Sequence, residues 1–382
     1  MTSKERVKIV LDHGKPDRVP FFEQGVASNV ASDILGRPAC TGGGRFRRDG
    51  IEAALAGDDA YRDYLVRGAT DWGDLVEALD FDVVTLPWFG GGAPCNRIDE
   101  NTYLFRSDDG TDWSVVRFQP ESDTLHTVDS AARQGDLEWL DTRVRALEDA
   151  HRARKPITAD SYPELQYAIQ RFAAKRAIGG GAGIAIPMEP VWLEAIAARP
   201  DLIERYLDIQ ADVGCEAIAV QAGMGIDLVW GGGDFVNNAG PLYSPEHFRA
   251  LMLPRVRRLT ETTHRFGLKY IFRTDGNVWP VARYLFQESG VDGYGEIDRQ
   301  AGMDLGQIRA RMPHLILWGN VDCGRTLTAG TLEEVRAETR ACIDKAGPGG
   351  GYILGSSNVI HSQVPTASFT AMIDECRSYG VY

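Results

Sequence analysis

Two short segments of the sequence carry polar side chains directly after apolar runs, and both have residue types that can do chemistry. The run 268–272 leads into Arg273, Thr274, Asp275, Gly276 and Asn277. The run 314–318 leads into the loop 319–323, which ends in Cys323. Apolar runs of this length predict strands, and α/β barrels keep their chemistry at the C-terminal ends of their strands. We therefore predict that both loops contribute to one site.

The side chains after the first run allow two kinds of role. Arg273 can hold a substrate carboxylate through two parallel hydrogen bonds, or it can form an ion pair with Asp275, Asp234 or Glu296. Asp275 can act as a general acid or base or anchor a ligand, and with Asn277 it can instead cap the next helix. The sequence leaves these alternatives open.

Further polar residues follow other predicted strands. Glu23 follows the short apolar run 19–22, and Asn358 and His361 lie in the loop after the final strand. His361 is either an acid/base or a solvated loop residue. Cys323 is a thiolate metal ligand, a nucleophile or an inert small apolar residue.

Aromatic residues complete the candidate site. Trp88 and Trp230 near strand ends suit the walls of an apolar pocket, with core packing as the alternative. We predict as catalytic candidates Asp275, Asp234, Glu23 and His361, as substrate-binding candidates Arg273, Trp88, Trp230, Asn277, Glu296 and Asn358, and as a metal-ligand candidate Cys323.

The elements that must position these residues alternate regularly from about residue 155. At least five strand-then-helix units follow one another, which predicts a parallel sheet closed into an α/β (β/α)8 TIM barrel. Residues 244–266 have the clearest helix signals, with Ser244 as N-cap and Pro245 in the first turn. A helical segment is predicted at 3–13 and a β-hairpin insertion at about 96–120. We predict one domain over residues 1–382.

Composition excludes several classes of protein. The 382 residues include 41 basic and 54 acidic side chains, and the formal charge of −13 disfavours nucleic acid or an anionic membrane as partner. Six cysteines without a C-x-x-C pair suit a reducing compartment. No apolar run approaches the ~20 residues of a membrane helix, and the charged start does not resemble a signal peptide. We therefore expect a cytoplasmic protein that acts on a small molecule.

Several motifs together resemble the uroporphyrinogen decarboxylase superfamily, which includes heme-pathway decarboxylases and cobalamin-linked methyltransferases. The matching segments, in family order, are 4–7 and 16–20, 231–234, 244–248, 275–277, 319–322, 330–335, 349–352 and 364–365. The resemblance implies a (β/α)8 barrel with its cleft at the C-terminal ends of the strands, and a homodimer.

The sequence differs from the binding motifs of both known activities of this superfamily. The arginine-rich segment that holds porphyrinogen carboxylates reads here as residues 21–26, Phe-Phe-Glu-Gln-Gly-Val. The His-x-Cys zinc motif of the methyltransferases reads Arg273-Thr274-Asp275, and Cys323 occupies the place of the later zinc-binding Cys. The resemblance thus implies zinc on Cys323 and a corrinoid carried by a partner protein. Of the zinc ligands of the methyltransferase branch, one thiolate, that of Cys323, remains in this sequence.

From these observations we predict an enzyme that acts on a small carboxylated or methoxylated compound. The leading reaction is corrinoid-linked methyl transfer, because the loops at 275–277 and at Cys323 are closer to that branch. Decarboxylation of the uroporphyrinogen decarboxylase type is the alternative, and a barrel that only binds a ligand is the third.

Overall fold

The computed structural model describes residues 1–87, 89 and 92–382, and its centre is a curled parallel sheet. The strands are β1 (Val83–Val84), β2 (Asn96–Asp99), β3 (Thr102–Arg106), β4 (Trp113–Gln119), β5 (Thr124–Ser130), β6 (Ala177–Gly181), β7 (Leu228–Gly232), β8 (Val236–Asn237), β9 (Gly240–Pro241), β10 (Lys269–Thr274), β11 (Gly293–Glu296), β12 (Ile316–Trp318) and β13 (Tyr352–Ile353). Seven of them form the parallel sheet, in the order β1, β6, β7, β10, β11, β12, β13.

The segment before β1 closes this sheet into a barrel. Phe22 donates a backbone hydrogen bond to Leu354, just after β13, and Leu354 donates one to Pro20. On the other side Asp82, just before β1, donates to the carbonyl of Phe21. Residues 20–22 therefore take the eighth place between β13 and β1, and the predicted α/β barrel class is confirmed.

Helices surround the barrel. The α-helices are α1 (Ser3–Leu11), α2 (Ser28–Leu35), α3 (Gly43–Ala56), α4 (Asp58–Ala78), α5 (Ala131–Gln134), α6 (Leu137–Ala153), α7 (Pro163–Phe172), α8 (Pro190–Ala198), α9 (Pro200–Met224), α10 (Pro245–His247), α11 (Leu253–Arg265), α12 (Leu305–Arg311), α13 (Thr326–Ala329), α14 (Leu332–Ala346) and α15 (Thr366–Tyr379). A π-helical stretch at Phe248–Met252 joins α10 to α11, so the helix expected at 244–266 runs from Pro245 to Arg265. After β10, the chain forms a single 3-10 turn at Trp279–Val281 and a π-helical turn at Tyr284–Glu288.

The barrel interior is filled from both ends by apolar side chains. At the N-terminal end of the strands, Val7 and Val10 of α1 belong to the same buried cluster as Ala177 and Leu228. At the opposite end the rings of Phe22, Trp230 and Trp318 pack together. The Trp230 ring lies 4.9 Å from Phe22 and 4.7 Å from Trp318, both nearly perpendicular. These three rings form the floor beneath the strand C-termini, where the candidate site lies.

The predicted hairpin insertion is part of a larger antiparallel sheet. Strands β2 to β5 pair in sequence order, and the sheet ends at Ser130, ten residues beyond the expected boundary. Strand β5 has no clean alternation of apolar and polar residues, which is why the sequence did not predict it. The sheet packs against α3.

A buried ion network lies near the start of β1. The carboxylate of Asp82, fully buried, accepts hydrogen bonds from Arg6 (Nη1, 2.6 Å), from Arg18 (Nη1, 2.8 Å) and from the backbone N–H of Phe21 (2.8 Å). Arg6 also binds Asp17 (2.7 Å). The network ties α1 and the closing segment to the first strand of the sheet.

Among the described residues, no helix combines the length and apolar character needed to cross a bilayer.

Candidate active site

Three carboxyl groups meet where three neighbouring strands end. Asp234 follows β7, Asp275 follows β10, and Glu296 is the last residue of β11. The strands pair in parallel, with Arg273 opposite Gly232 and Thr274 opposite Glu296. Their C-terminal ends therefore lie side by side, and single carboxylate oxygens of Asp234, Asp275 and Glu296 lie within 4.8 Å of one another.

Burial and mutual repulsion change how these carboxyl groups titrate. Glu296 is 2% exposed, and loss of water raises the pKa of Glu296 to about 8, although the nearby Arg273 guanidinium opposes the rise. Arg273 Nη1 lies 3.8 Å from a Glu296 carboxylate oxygen. Burial, followed by the negative charge of Asp234, also raises the pKa of Asp275. Near neutral pH Glu296 therefore holds a proton that it can donate.

The side chain of Gln24 forms hydrogen bonds with Glu296, Asn358 and Trp230. The sequence did not predict Gln24 as a site residue. Its amide nitrogen donates hydrogen bonds to Glu296 and to the carbonyl of Asn358 (3.1 Å). Its amide oxygen accepts from the indole N–H of Trp230 (3.4 Å). The side chain of Asn358 in turn donates to Asp275 (2.9 Å). Gln24 and Asn358 thus hold two of the three carboxyl groups in place.

Glu23 lies apart from this group. It is fully buried and accepts hydrogen bonds from the backbone N–H (2.5 Å) and the hydroxyl (2.8 Å) of Ser356. Burial raises the pKa of Glu23 to about 8, against these two hydrogen bonds. Glu23 fixes the loop that carries Asn358, so the structure places it behind the site.

Cys323 and His361 form a second, separate pair of contacts. The Cys323 sulfur accepts a hydrogen bond from Ser357 (3.4 Å), and burial raises the pKa of this thiol to about 11. His361 Nε2 lies 3.2 Å from the Cys323 carbonyl oxygen and 3.2 Å from the Thr328 hydroxyl. A buried, protonated thiol is a poor nucleophile.

The remaining predicted residues divide between the site and other roles. Trp230 borders the site through Gln24. The side chain of Asn277 accepts a hydrogen bond from the backbone N–H of Trp279 (3.0 Å), so it caps the following turn. Trp88 lies outside the described residues.

A cavity of about 380 Å³ opens over the barrel mouth. Its walls include Leu86, Pro87, Tyr162 and Trp230, and Arg273 is the sole basic residue among the described residues that line it. A second cavity of about 420 Å³, bordered by Arg47 and His361, meets the first at Gln24 and Pro87.

The donor set does not fit a zinc-thiolate centre. In the described part of the chain, the group with metal-ligand spacing consists of Asp234, Asp275 and Glu296, and it does not include Cys323. Three carboxylates could hold a hard divalent cation. However, Gln24 and Asn358 already occupy oxygens of two of them, and the Arg273 guanidinium lies beside Glu296. We therefore interpret the three as proton-exchanging carboxyl groups.

Comparison with known proteins places this site in a family. The sequence model of uroporphyrinogen decarboxylase (URO-D) matches residues 187–379, a little more than half of the chain. The chain belongs to the uroporphyrinogen decarboxylase family. The matched range contains Asp234, Arg273, Asp275 and Glu296, whereas Gln24 lies outside it.

Curated relatives agree with this assignment, and a solved structure shares the fold. The uroporphyrinogen decarboxylase of Bordetella petrii is 28% identical over 190 residues, 48% of this chain and 50% of the relative. That of Thioalkalivibrio sulfidiphilus is 26% identical over 182 residues, 46% of this chain and 45% of the relative. The chain thus spans about half the length of these curated relatives. A methyltransferase from Methanosarcina mazei shares the fold, with a TM-score of 0.67, 16% identity and 99% of both chains covered.

Proposed function

We propose that this chain is an enzyme that removes the methyl group of a small methoxylated carboxylate and passes it to a corrinoid carried by a partner protein. The observation that supports this proposal is the position of Arg273, half-buried in the barrel mouth, next to carboxyl groups with raised pKa values. An anion-binding group beside a proton donor is what cleavage of a methyl ether in a carboxylated substrate needs.

Each residue has a defined task in this reaction. Arg273 binds the substrate carboxylate and fixes the ether oxygen near Glu296. The methyl carbon–oxygen bond breaks, the methyl carbon bonds to an electron pair of the acceptor, and Glu296 protonates the oxygen that is left. The reduced corrinoid supplies that electron pair when the partner docks. Asp234 and Asp275 then return a proton to Glu296 from solvent.

Uroporphyrinogen itself does not suit this cavity. A substrate with eight carboxylates needs several basic side chains, and Arg273 is the sole one among the described residues lining the 380 Å³ cavity.

Decarboxylation of a smaller substrate is a second candidate, which the curated relatives' name favours. The carbon–carbon bond to the carboxylate would break, carbon dioxide would leave, and Glu296 would protonate the carbon that keeps the electron pair. The same acid would serve both reactions, with Arg273 binding a second carboxylate that stays on the substrate.

A two-product assay separates the candidates. The purified protein is mixed with free reduced cobalamin and a panel of methoxylated and dicarboxylic small acids. Methyl transfer predicts consumption of the reduced cobalamin together with release of the hydroxy acid, whereas decarboxylation predicts carbon dioxide without cobalamin. Arg273→Ala and Asp275→Asn should lower the observed rate at least tenfold, and the exposed-glycine variant Gly223→Ala should not. Unchanged rates in both site variants would refute the proposed site.

A further inference from the structure

Strand β6 ends in three consecutive glycines, and packing explains the first two. A Cβ atom on Gly179 would lie 2.9 Å from the Thr85 side chain. One on Gly180 would lie 2.4 Å from the amide oxygen of Gln221, on the other face of the sheet. Contacts this short do not occur for real side chains, so a side chain at either position would force a neighbouring side chain to move.

Packing does not explain the third glycine. A Cβ atom on Gly181 would have one described atom within 4 Å, the carbonyl oxygen of Trp230 at 3.8 Å, which is an ordinary contact. The backbone at Gly181 does not have the positive φ that favours glycine. Glycine weakens a strand, because it has no side chain to pack and more freedom to lose. The missing side chain therefore needs another reason.

The space beside Gly181 supplies that reason. Gly181 is exposed and borders the 380 Å³ cavity that contains Arg273. Alternation along the strand puts it on the same face as Ala177, which points into the barrel interior. Both backbone polar groups of Gly181 are held by the Gln221 side chain, at 2.8 and 3.0 Å. Because these bonds fix the backbone, a side chain at position 181 would occupy part of the cavity.

The register shows what lies between Gly181 and Arg273. Gly181 pairs with Trp230 on β7, and Gly232, two residues further along β7, pairs with Arg273 on β10. The two positions are therefore two strand spacings, about 10 Å, apart across the sheet, and Arg273 lies two residues further along the strands. A molecule whose carboxylate is held by Arg273 and whose body extends along this cavity would reach Gly181.

We propose that Gly181 determines substrate specificity, and that the substrate is a carboxylate whose body is at least as large as one six-membered ring. The cavity volume equals that of about a dozen liquid waters at ~30 Å³ each, which is much more than acetate needs. This inference rests on the proposed function, because it takes the substrate carboxylate to bind at Arg273. It adds the size of the substrate and the residue that admits it.

Binding of two probe acids tests this inference without any turnover. Calorimetric titration measures the affinities of benzoate and acetate for the wild-type protein and for Gly181→Val, Gly181→Ala and Arg273→Ala. Gly223→Ala is the matched control, because Gly223 is exposed on α9 and a Cβ atom there would meet nothing within 4 Å. Circular dichroism and the melting temperature confirm that each variant is folded.

The expected result is selective. Benzoate should bind the wild type more tightly than acetate does, and Gly181→Val should weaken benzoate binding roughly ten- to hundredfold, the usual effect of a few misplaced methyl groups in a pocket. Acetate binding should change less than twofold. Gly181→Ala should have a smaller effect on benzoate, and the control none.

Other results would overturn the inference. Equal benzoate affinity in the wild type and in Gly181→Val would show that no ligand body lies at Gly181. A wild-type protein that binds benzoate no more tightly than acetate would show the same. Equal loss of both acids in Gly181→Val would mean that the valine disturbs the whole site. Benzoate binding that survives Arg273→Ala would refute the anion site, and with it the proposed function. If Arg273→Ala abolishes benzoate binding but Gly181→Val does not weaken it, the inference about Gly181 is wrong and the proposed function is unaffected.

Discussion

The raised pKa of Glu296 makes protein stability depend on pH in a specific direction. In the unfolded chain this carboxyl group titrates near 4.5, and in the folded protein near 8. Between these values the unfolded state loses the proton and the folded state keeps it, so the free energy of unfolding falls as pH rises. A rise from 4.5 to about 8 corresponds to about 5 kcal/mol, or about 1.4 kcal/mol for each pH unit.

Replacing Glu296 with Gln removes this dependence at nearly constant shape. Between pH 5.5 and 7.5, the Glu296 contribution to the loss of stability should be about 2–3 kcal/mol. Glu23, whose pKa is also raised by burial to about 8, adds a slope of the same sign. Glu296→Gln should therefore remove about half of the combined slope from these two groups.

Urea unfolding at pH 5.5, 6.5 and 7.5 measures the slope for the wild type and for Glu296→Gln. Glu333→Gln, which changes an exposed carboxyl group on α14, serves as the control and should leave the slope unchanged. If Glu296→Gln has the same slope as the wild type, Glu296 is ionised in the folded protein and the assignment of its proton is wrong.

Three further predictions test other parts of the structure. Asp82→Ala should lower the free energy of unfolding by about 3–5 kcal/mol in urea, because Arg6 and Arg18 lose a buried partner; an effect no larger than that of the exposed Asp108→Ala would contradict this. Cys323→Ala should bind the same amount of metal as the wild type by elemental mass spectrometry, because Cys323 lies outside the described group of residues with metal-ligand spacing and its sulfur accepts a hydrogen bond from Ser357. Zinc lost only in the variant would restore the thiolate site. Gln24→Ala should lower turnover about tenfold, because a hydrogen bond worth about 1.5 kcal/mol to Glu296 is lost, and wild-type turnover in a folded Gln24→Ala protein would show that Gln24 does not position the acid.

The strand-end residues could be predicted because their sequence signals agree with one another. The run before Arg273 is apolar apart from Lys269, and an Asp-Gly-Asn turn follows it at 275–277. Both the strand β10 and the position of Asp275 at its end therefore followed from the sequence. The proximity of Asp234, Asp275 and Glu296 depends on which strands are neighbours. Sequential strand-helix units made that order the expected one.

The sequence did not predict Gln24, because it does not show which side chains of the closing segment 20–24 point into the barrel. Successive side chains of an extended segment point to opposite faces, but Phe21 and Phe22 are both apolar, so either face could be the interior. In the structure Phe22 packs on Trp230 inside the barrel, and Gln24, two residues on, points the same way. Glu23 points to the same face as Phe21, which packs outward against Phe81 and Phe369.

The pH dependence of turnover in wild type and Glu296→Gln tests the central claim most directly. With whichever small methoxylated or carboxylated acid the product assay identifies, the wild-type rate should fall above pH about 8, where Glu296 loses its proton. Glu296→Gln should be slower by about 10²–10⁴-fold, the usual contribution of a general acid, and should lack that alkaline fall. A Glu296→Gln protein with the wild-type rate and the wild-type pH profile would contradict the assignment of Glu296 as the proton donor.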